Sequence, residues 1–181
     1  GDPLDKVEQQ VYLDRLLRDN RWLEAYLAWL NGLDERQLTV LGNVYNGGFE
    51  LPINGLGFDW RITPVRGVVV EMVSTYGVRG YKALHVGFNG QRVQFNHVSQ
   101  YLFLQPGRYR LYGWVRPDRL RTERGLRWTV RCAPDRPVLM ASEPFLGSDD
   151  WRLFAVEFVV PESDCMAQVL RLELEGRAAL D

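Results

Sequence analysis

The sequence predicts a mainly β protein, a jelly-roll β-sandwich preceded by a short N-terminal α-helical hairpin. Three observations indicate this fold class. Apolar residues within the first 40 positions repeat at helical spacing, whereas later ones alternate with polar residues at period two. The alternating segments are short and are separated by turn residues, with no helical stretch between them, as in sandwiches and barrels. Some of these segments reach 10 or 11 residues, which suits a jelly roll.

Length and composition limit the other possibilities. The chain has 181 residues, of which 46% are hydrophobic, so we expect one ordinary domain with a small appendage. We place the helical hairpin at 1–40 and the sandwich at 41–181. The net charge of −1 argues against a nucleic-acid binder, and the apolar runs are too short for a membrane span. Because the first residue is not Met, we expect a processed protein or a fragment of a longer one.

Two helices are predicted over 5–19 and 21–31. Trp22, Tyr26, Trp29 and Leu30 share one face of the second helix, and Asn20 is a suitable N-cap for it. The pair resembles one tetratricopeptide-type hairpin, on the motif Leu16-Leu17, Trp22, Glu24-Ala25 and Trp29-Leu30. That resemblance implies the last repeat of a longer array, and the alternative is a simple hairpin that caps the next domain.

Ten strands are predicted from the period-two pattern and its turn residues. They lie near 43–50, 58–62, 67–74, 81–88, 94–104, 107–117, 126–133, 137–142, 151–161 and 168–175. Alternation also assigns faces, because successive side chains of a strand point to opposite sides of its sheet. Tyr109, Trp128, Phe154 and Phe158 are assigned to the core in this way.

The other faces of the strands carry aromatic rings and planar donors, which are suited to a ligand surface. We predict that a ligand stacks on or hydrogen-bonds to His97, Tyr101, Tyr112, Trp114, Arg116, Arg127 and Arg131. The alternative is that these aromatic side chains pack against loops or against the N-terminal helices.

The two cysteines, Cys132 and Cys165, permit two interpretations. They are either two separate thiols or a single disulfide that ties the end of one strand to the loop before another. No Cys/His spacing predicts a zinc site, because the chain has only 2 His.

Several motifs resemble the galactose-binding-domain-like jelly rolls, a group that includes carbohydrate-binding modules for xylan or β-glucan. They span 43–175 in order. The motifs are Asn46-Gly-Gly-Phe-Glu50 followed by Trp60, Gly80-Tyr-Lys-Ala-Leu-His-Val86, Val98-Ser-Gln100 with Pro106-Gly-Arg-Tyr109 and Trp114-Val-Arg116, Trp151-Arg-Leu-Phe154 with Val160-Pro161, and Leu170 to Leu174. The resemblance implies a jelly roll that binds sugars, proteins or lipids.

The same resemblance implies a structural calcium site in which Glu50 would join an Asp near the last strand. The chain stops at Ala178-Ala-Leu-Asp181, so we expect that the final strand is missing or that Asp181 begins it. No other cofactor is predicted.

Catalytic motifs are missing from the sequence. It has no Gly-x-Ser-x-Gly, no His-Glu-x-x-His and no phosphate-binding loop. His97 and Ser99 lack an orienting acid, and Asp149-Asp150 beside Ser148 is typical of a solvated turn. No catalytic residue is therefore predicted.

The leading hypothesis is a non-catalytic carbohydrate-binding module in a bacterial envelope or exported protein, periplasmic or extracellular. The second is an assembly scaffold that binds a protein partner through its helices and has no sugar ligand. The third is a glycoside hydrolase, which would need two carboxylates about 5–10 Å apart.

Overall fold

The computed structural model of the chain describes residues 5–77, 80–90 and 93–174. It begins with three helices, α1 (Lys6–Arg18), α2 (Trp22–Asn31) and α3 (Glu35–Thr39). Asp5 caps α1 and Asp34 caps α3, each accepting a hydrogen bond from a first-turn backbone N–H. Within these ranges no helix is long and apolar enough to cross a membrane.

Nine strands follow in the described ranges, and all their pairings are antiparallel. Their bounds are β1 Arg61–Ile62, β2 Val68–Ser74, β3 Lys82–Phe88, β4 Val98–Leu102, β5 Gly107–Val115, β6 Leu126–Cys132, β7 Val138–Ala141, β8 Arg152–Val160 and β9 Gln168–Leu174. Five of them form a sheet in the order β1-β4-β9-β6-β7, and the other four form the two-stranded ribbons β2-β3 and β5-β8.

The main core lies between the five-stranded sheet and the two ribbons. The sheet contributes apolar side chains such as Val98, Val130 and Leu170, and the ribbons contribute residues such as Val86 and Phe158. These side chains occupy alternate positions of their strands, as period-two patterning requires. The fold is thus mainly β, a sandwich with short N-terminal helices, and the predicted fold class is confirmed.

A second core lies on the other face of the five-stranded sheet, where α1 and α2 pack against it. Leu16, Trp22 and Trp29 from the helices meet Tyr101 and Val169 from the sheet in this cluster. We call this side of the sheet the helix-covered face. The helices therefore share their apolar contacts with the sandwich, because they lack enough apolar surface to form a core alone.

One predicted strand is wrong, the segment 43–50, which forms turns. Asn46 and Phe49 have left-handed backbone angles, φ 51° and 55°, that interrupt extended structure. Buried side chains replace the missing strand partner. Gln100 Oε1 accepts a hydrogen bond from the Tyr45 backbone N–H at 2.9 Å, and Gln100 Nε2 donates to the Tyr45 carbonyl oxygen.

The ends of the helices also differ from the prediction. Asn20 is not the N-cap of α2, because Arg21 occupies that position. Asn20 instead has φ 58°, and the backbone N–H groups of Asn20 and Arg21 donate to the carbonyl oxygens of Leu17 and Leu16. This hydrogen-bonding pattern is a Schellman motif that ends α1, and Asn tolerates its left-handed position.

A disulfide joins Cys132, at the end of β6, to Cys165, just before β9. Both residues are buried in the main core. Residues 175–181, which include the predicted end of the last strand and the expected position of a final one, lie outside the described residues.

Candidate functional site

The outward face of the β5-β8 ribbon carries two exposed aromatic rings. Tyr112 is 67% exposed and Trp114 is 46% exposed. They stand two residues apart on β5, so their Cα atoms are separated by about 6.8 Å along the strand. Within the described ranges no other aromatic ring stacks on either of them. We call this surface the open ribbon face.

The local sequence explains why these rings face outward. Gly113, between them, is paired with Phe154 of β8. A Cβ atom at Gly113 would lie 3.0 Å from the Phe154 ring, so the glycine makes room for this core side chain. Tyr112 and Trp114 occupy the opposite side of the pleat. Ala155 lies opposite Tyr112 and is too small to cover its ring.

Three arginines share the outward side of β5 with the aromatic pair. Arg108 and Arg110 precede the rings at alternate positions, and the exposed Arg116 follows just after the strand ends. Glu157 lies opposite Arg110 in the register of the ribbon. Stacking rings beside planar hydrogen-bond donors suit a ligand with both apolar and polar faces.

Tyr101 lies in a different place, on the helix-covered face. Its ring centroid is 5.4 Å from that of Trp22, and the Cζ atom of Arg61 lies 5.2 Å from it. A crevice of about 20 Å³ beside it is large enough for about one water molecule. The five-stranded sheet therefore separates Tyr101 from the open ribbon face.

His97 lies just before β4 and is half-buried. Its Nδ1 accepts a hydrogen bond from the Asn96 backbone N–H at 3.1 Å, and its ring lies 5.7 Å from that of Phe95.

Arg127 and Arg131 both lie on β6 of the five-stranded sheet. Arg131 donates through Nη2 to Glu173 Oε1 at 2.8 Å, and both side chains are largely buried. Arg127 Nη1 contacts the Ser142 carbonyl oxygen at 3.4 Å. These two guanidinium groups are thus held by the protein itself. The seven predicted ligand residues do not form one site, and the open ribbon face gathers only Tyr112, Trp114 and Arg116.

Glu50, the residue predicted for calcium, is exposed and follows the turns of the segment 43–50. In the part of the chain that the structure describes, no group of three His, Cys, Asp or Glu residues could hold a metal ion. The proposed acidic partner near Asp181 falls outside that part, so the calcium site stays a prediction.

Sequence reasoning missed some residues near these surfaces. Arg108 extends the basic side of β5, and alternation from Arg110 could have found it. Arg61 and Arg171 were also missed, and only the pairing of β1 and β9 with β4 places them near Tyr101.

No protein-family model matches the chain, and no curated protein matches it. Among solved structures, it is similar to one described as "CBM4 structure and function", with 20% sequence identity and a TM-score of 0.52. The similarity covers 76% of this chain and 92% of that chain. At this identity the likeness shows the fold alone, a carbohydrate-binding-module-like β fold. The tetratricopeptide resemblance of the helices stays a prediction.

Proposed function

We propose that this chain is a non-catalytic carbohydrate-binding protein whose ligand stacks on Tyr112 and Trp114. The observation that carries the proposal is the pair of adjacent rings exposed on the open ribbon face. Neighbouring apolar side chains that are exposed together often mark a surface that binds a ligand or a partner. The pyranose ring of a sugar has an apolar face that stacks on such rings, while its hydroxyl groups need donors such as Arg116.

The fold supports the same proposal, since the similar solved structure is described as a carbohydrate-binding module. No catalytic residue is assigned in this proposal, because the sequence lacks the catalytic motifs that were sought in it. The Cys132–Cys165 disulfide supports a periplasmic or extracellular location, because such bonds persist in oxidising compartments.

A protein-binding scaffold is the second candidate, and exposed apolar side chains on the helices favour it. Val11, Leu23 and Leu27 are 55%, 51% and 50% exposed. However, the aromatic pair does not lie beneath the helices. It lies in the opposite layer of the sandwich, where helix packing cannot account for it. This arrangement supports the sugar hypothesis over the scaffold hypothesis.

Affinity gel electrophoresis tests the proposal on a panel of soluble polysaccharides that includes xylan, β-glucan and acidic polymers. We expect retention of the wild-type protein in at least one gel. Trp114→Ala and Tyr112→Ala should each weaken binding about tenfold or more, because anchoring aromatic residues dominate contact energies. Binding should also change the fluorescence of Trp114, the most exposed tryptophan.

Tyr76→Ala is the matched control, because Tyr76 is 91% exposed but lies in the turn after β2. It should leave retention unchanged. No retention on any polysaccharide, acidic ones included, would contradict the proposal and favour the scaffold hypothesis.

A further inference from the structure

A second surface of the molecule has the features of a binding site. On the helix-covered face, beside the helices, a cleft of about 50 Å³ is lined by Arg61, Ser99, Tyr101, Pro134, Val169 and Arg171. The five-stranded sheet separates it from the open ribbon face. Pro134 and Val169 contribute apolar surface to the cleft, and Arg61, Ser99, Tyr101 and Arg171 contribute polar groups.

The guanidinium group of Arg61 is held in place before any ligand arrives. Its Nη2 donates to the Gly57 carbonyl oxygen at 3.1 Å, and its Cζ lies 5.2 Å from the centre of the Tyr101 ring. Its Nε is buried and has no hydrogen-bond partner in the described ranges. A guanidinium group that is already held in place loses less conformational entropy when it binds an acceptor.

Ser99 and Arg171 complete a row across the sheet. Arg61 of β1 pairs with Ser99 of β4, which in turn pairs with Arg171 of β9. Neighbouring residues in such a row have Cβ atoms about 5 Å apart. The three side chains therefore project from one side of the sheet into the same cleft.

Among the described residues no carboxylate forms an ion pair with either of these arginines, although the buried carboxyl group of Asp59 interacts electrostatically with Arg61. Glu173 is paired with Arg131. The oxygens of Asp59 accept hydrogen bonds from the backbone N–H groups of Asn54 and Trp60 at 2.8 and 2.7 Å. Within the described part of the chain no ion pair involves Arg61 or Arg171. Two positive charges thus share one cleft without a paired counter-charge.

We propose that this cleft binds an oxyanion, a carboxylate, sulfate or phosphate group, between Arg61 and Arg171 with Ser99 as an additional donor. Guanidinium groups match the geometry of such oxyanions and form short, charge-assisted hydrogen bonds with them. Pro134, Val169 and the Tyr101 ring would shield these bonds from water and strengthen them. The cleft has room for one small anionic group.

Isothermal titration calorimetry tests the site on the full chain with sodium sulfate, sodium phosphate and sodium galacturonate at constant ionic strength. Neutral galactose is the matched probe without charge. We expect saturable binding of the anions with no binding of galactose in this cleft. The ratio of the three anion affinities then distinguishes a carboxylate ligand from a sulfate or phosphate.

Arg171→Gln should weaken anion binding about tenfold or more, the equivalent of one lost charge-assisted contact. Ser99→Ala should weaken it less. Arg121→Gln, which removes an exposed arginine from the loop between β5 and β6, is the control and should leave anion binding unchanged. If Arg171→Gln misfolds by circular dichroism, backbone amide shifts of Ser99 and Arg171 in the wild-type protein locate the anion instead.

The inference is wrong if no anion binds saturably, if Arg171→Gln binds as tightly as wild type, or if the amide shifts occur elsewhere. One variant distinguishes a failure of this inference from a failure of the proposed carbohydrate binding. Trp114→Ala should weaken polysaccharide retention while leaving sulfate binding unchanged, because Trp114 lies in the other layer.

Discussion

The two outward faces of the sandwich carry the same sequence pattern but differ in what covers them. On β4 and the residue after it, Tyr101 and Phe103 point outward at alternate positions, as Tyr112 and Trp114 do on β5. The first pair is covered, with ring centroids 5.4 Å from Trp22 and 4.8 Å from Tyr26 respectively. The second pair is exposed.

This difference teaches that an outward aromatic residue indicates a ligand surface only when nothing else in the chain packs on it. The helices α1 and α2 are short and their buried residues lie on one side, so they need a partner surface. The aromatic side chains of β4 supply that surface. The open ribbon face has no such partner among the described residues, which is why it is the candidate site.

The largest expected effect is on stability at the covered face. Trp29 is 6% exposed and lies 5.0 Å from Tyr45 and 5.5 Å from Phe58 between ring centroids. Trp29→Ala should lower the free energy of unfolding by about 3–5 kcal/mol, since it leaves a cavity between helix and sheet. Urea denaturation followed by circular dichroism measures this loss.

Trp114→Ala is the matched control from the open ribbon face. It should lower the free energy of unfolding by about 1 kcal/mol or less. Together the two variants test the comparison directly. Similar losses in both would mean that the two faces are equally packed, and the open face would no longer be a credible ligand surface.

The sequence predicted most of the fold because alternation is a local property. Tyr109 of β5, Trp128 of β6 and Phe154 and Phe158 of β8 were assigned to the core correctly, since each of these strands has a clean apolar face. The segment 43–50 was predicted wrongly because Asn46 and Phe49 adopt left-handed angles, and no local pattern shows that a distant Gln100 holds that backbone.

The candidate site could be predicted only in part, for a physical reason. Alternation shows on which side of its own strand Tyr101 lies, but it does not show that Trp22 packs on it. Likewise, alternation predicts Arg131 as an available donor, but the pairing of β6 with β9 places Glu173 within hydrogen-bond distance of it. Such contacts depend on strand order, which a single sequence does not reveal.

A smaller effect on stability should show how closely α2 approaches the loop before β1. Gly57 has φ +58°, and a Cβ atom there would lie 2.3 Å from Trp29 Cδ1. Gly57→Ala should therefore lower the free energy of unfolding by about 1–3 kcal/mol through overpacking. Backbone strain should lower it by about 1 kcal/mol more. Gly55→Ala is the control, because Gly55 has φ +73° but no atom within 4 Å of the added Cβ.

The control should show the strain alone, so thermal or urea unfolding should rank Gly55→Ala above Gly57→Ala in stability. Equal losses in the two variants would mean that the helices move away from residue 57 at little cost, and the covered face would be more adaptable than its packing indicates.

The smallest expected effect is a pH dependence that originates at the covered face. Asp59 is 2% exposed, in the loop that leads from Phe58 into β1. Burial raises the pKa of Asp59 above its ordinary value of 3.8, although hydrogen bonds from the backbone N–H groups of Asn54 and Trp60 and the charge of Arg61 oppose the shift. The folded protein therefore holds this proton more tightly than the unfolded chain does.

The sign follows from that difference in pKa. The stabilisation from protonated Asp59 is fully present below pH 3.8 and is lost as the pH rises through the higher pKa of the folded state. Urea unfolding of wild type and of Asp59→Asn between pH 3 and pH 7 isolates this residue by subtraction. The stability of wild type relative to the variant should be greatest at pH 3 and should fall toward pH 7. A relative stability that rises with pH would mean that the two backbone donors outweigh burial, and that the loop beneath the helices is built to hold a charged carboxylate.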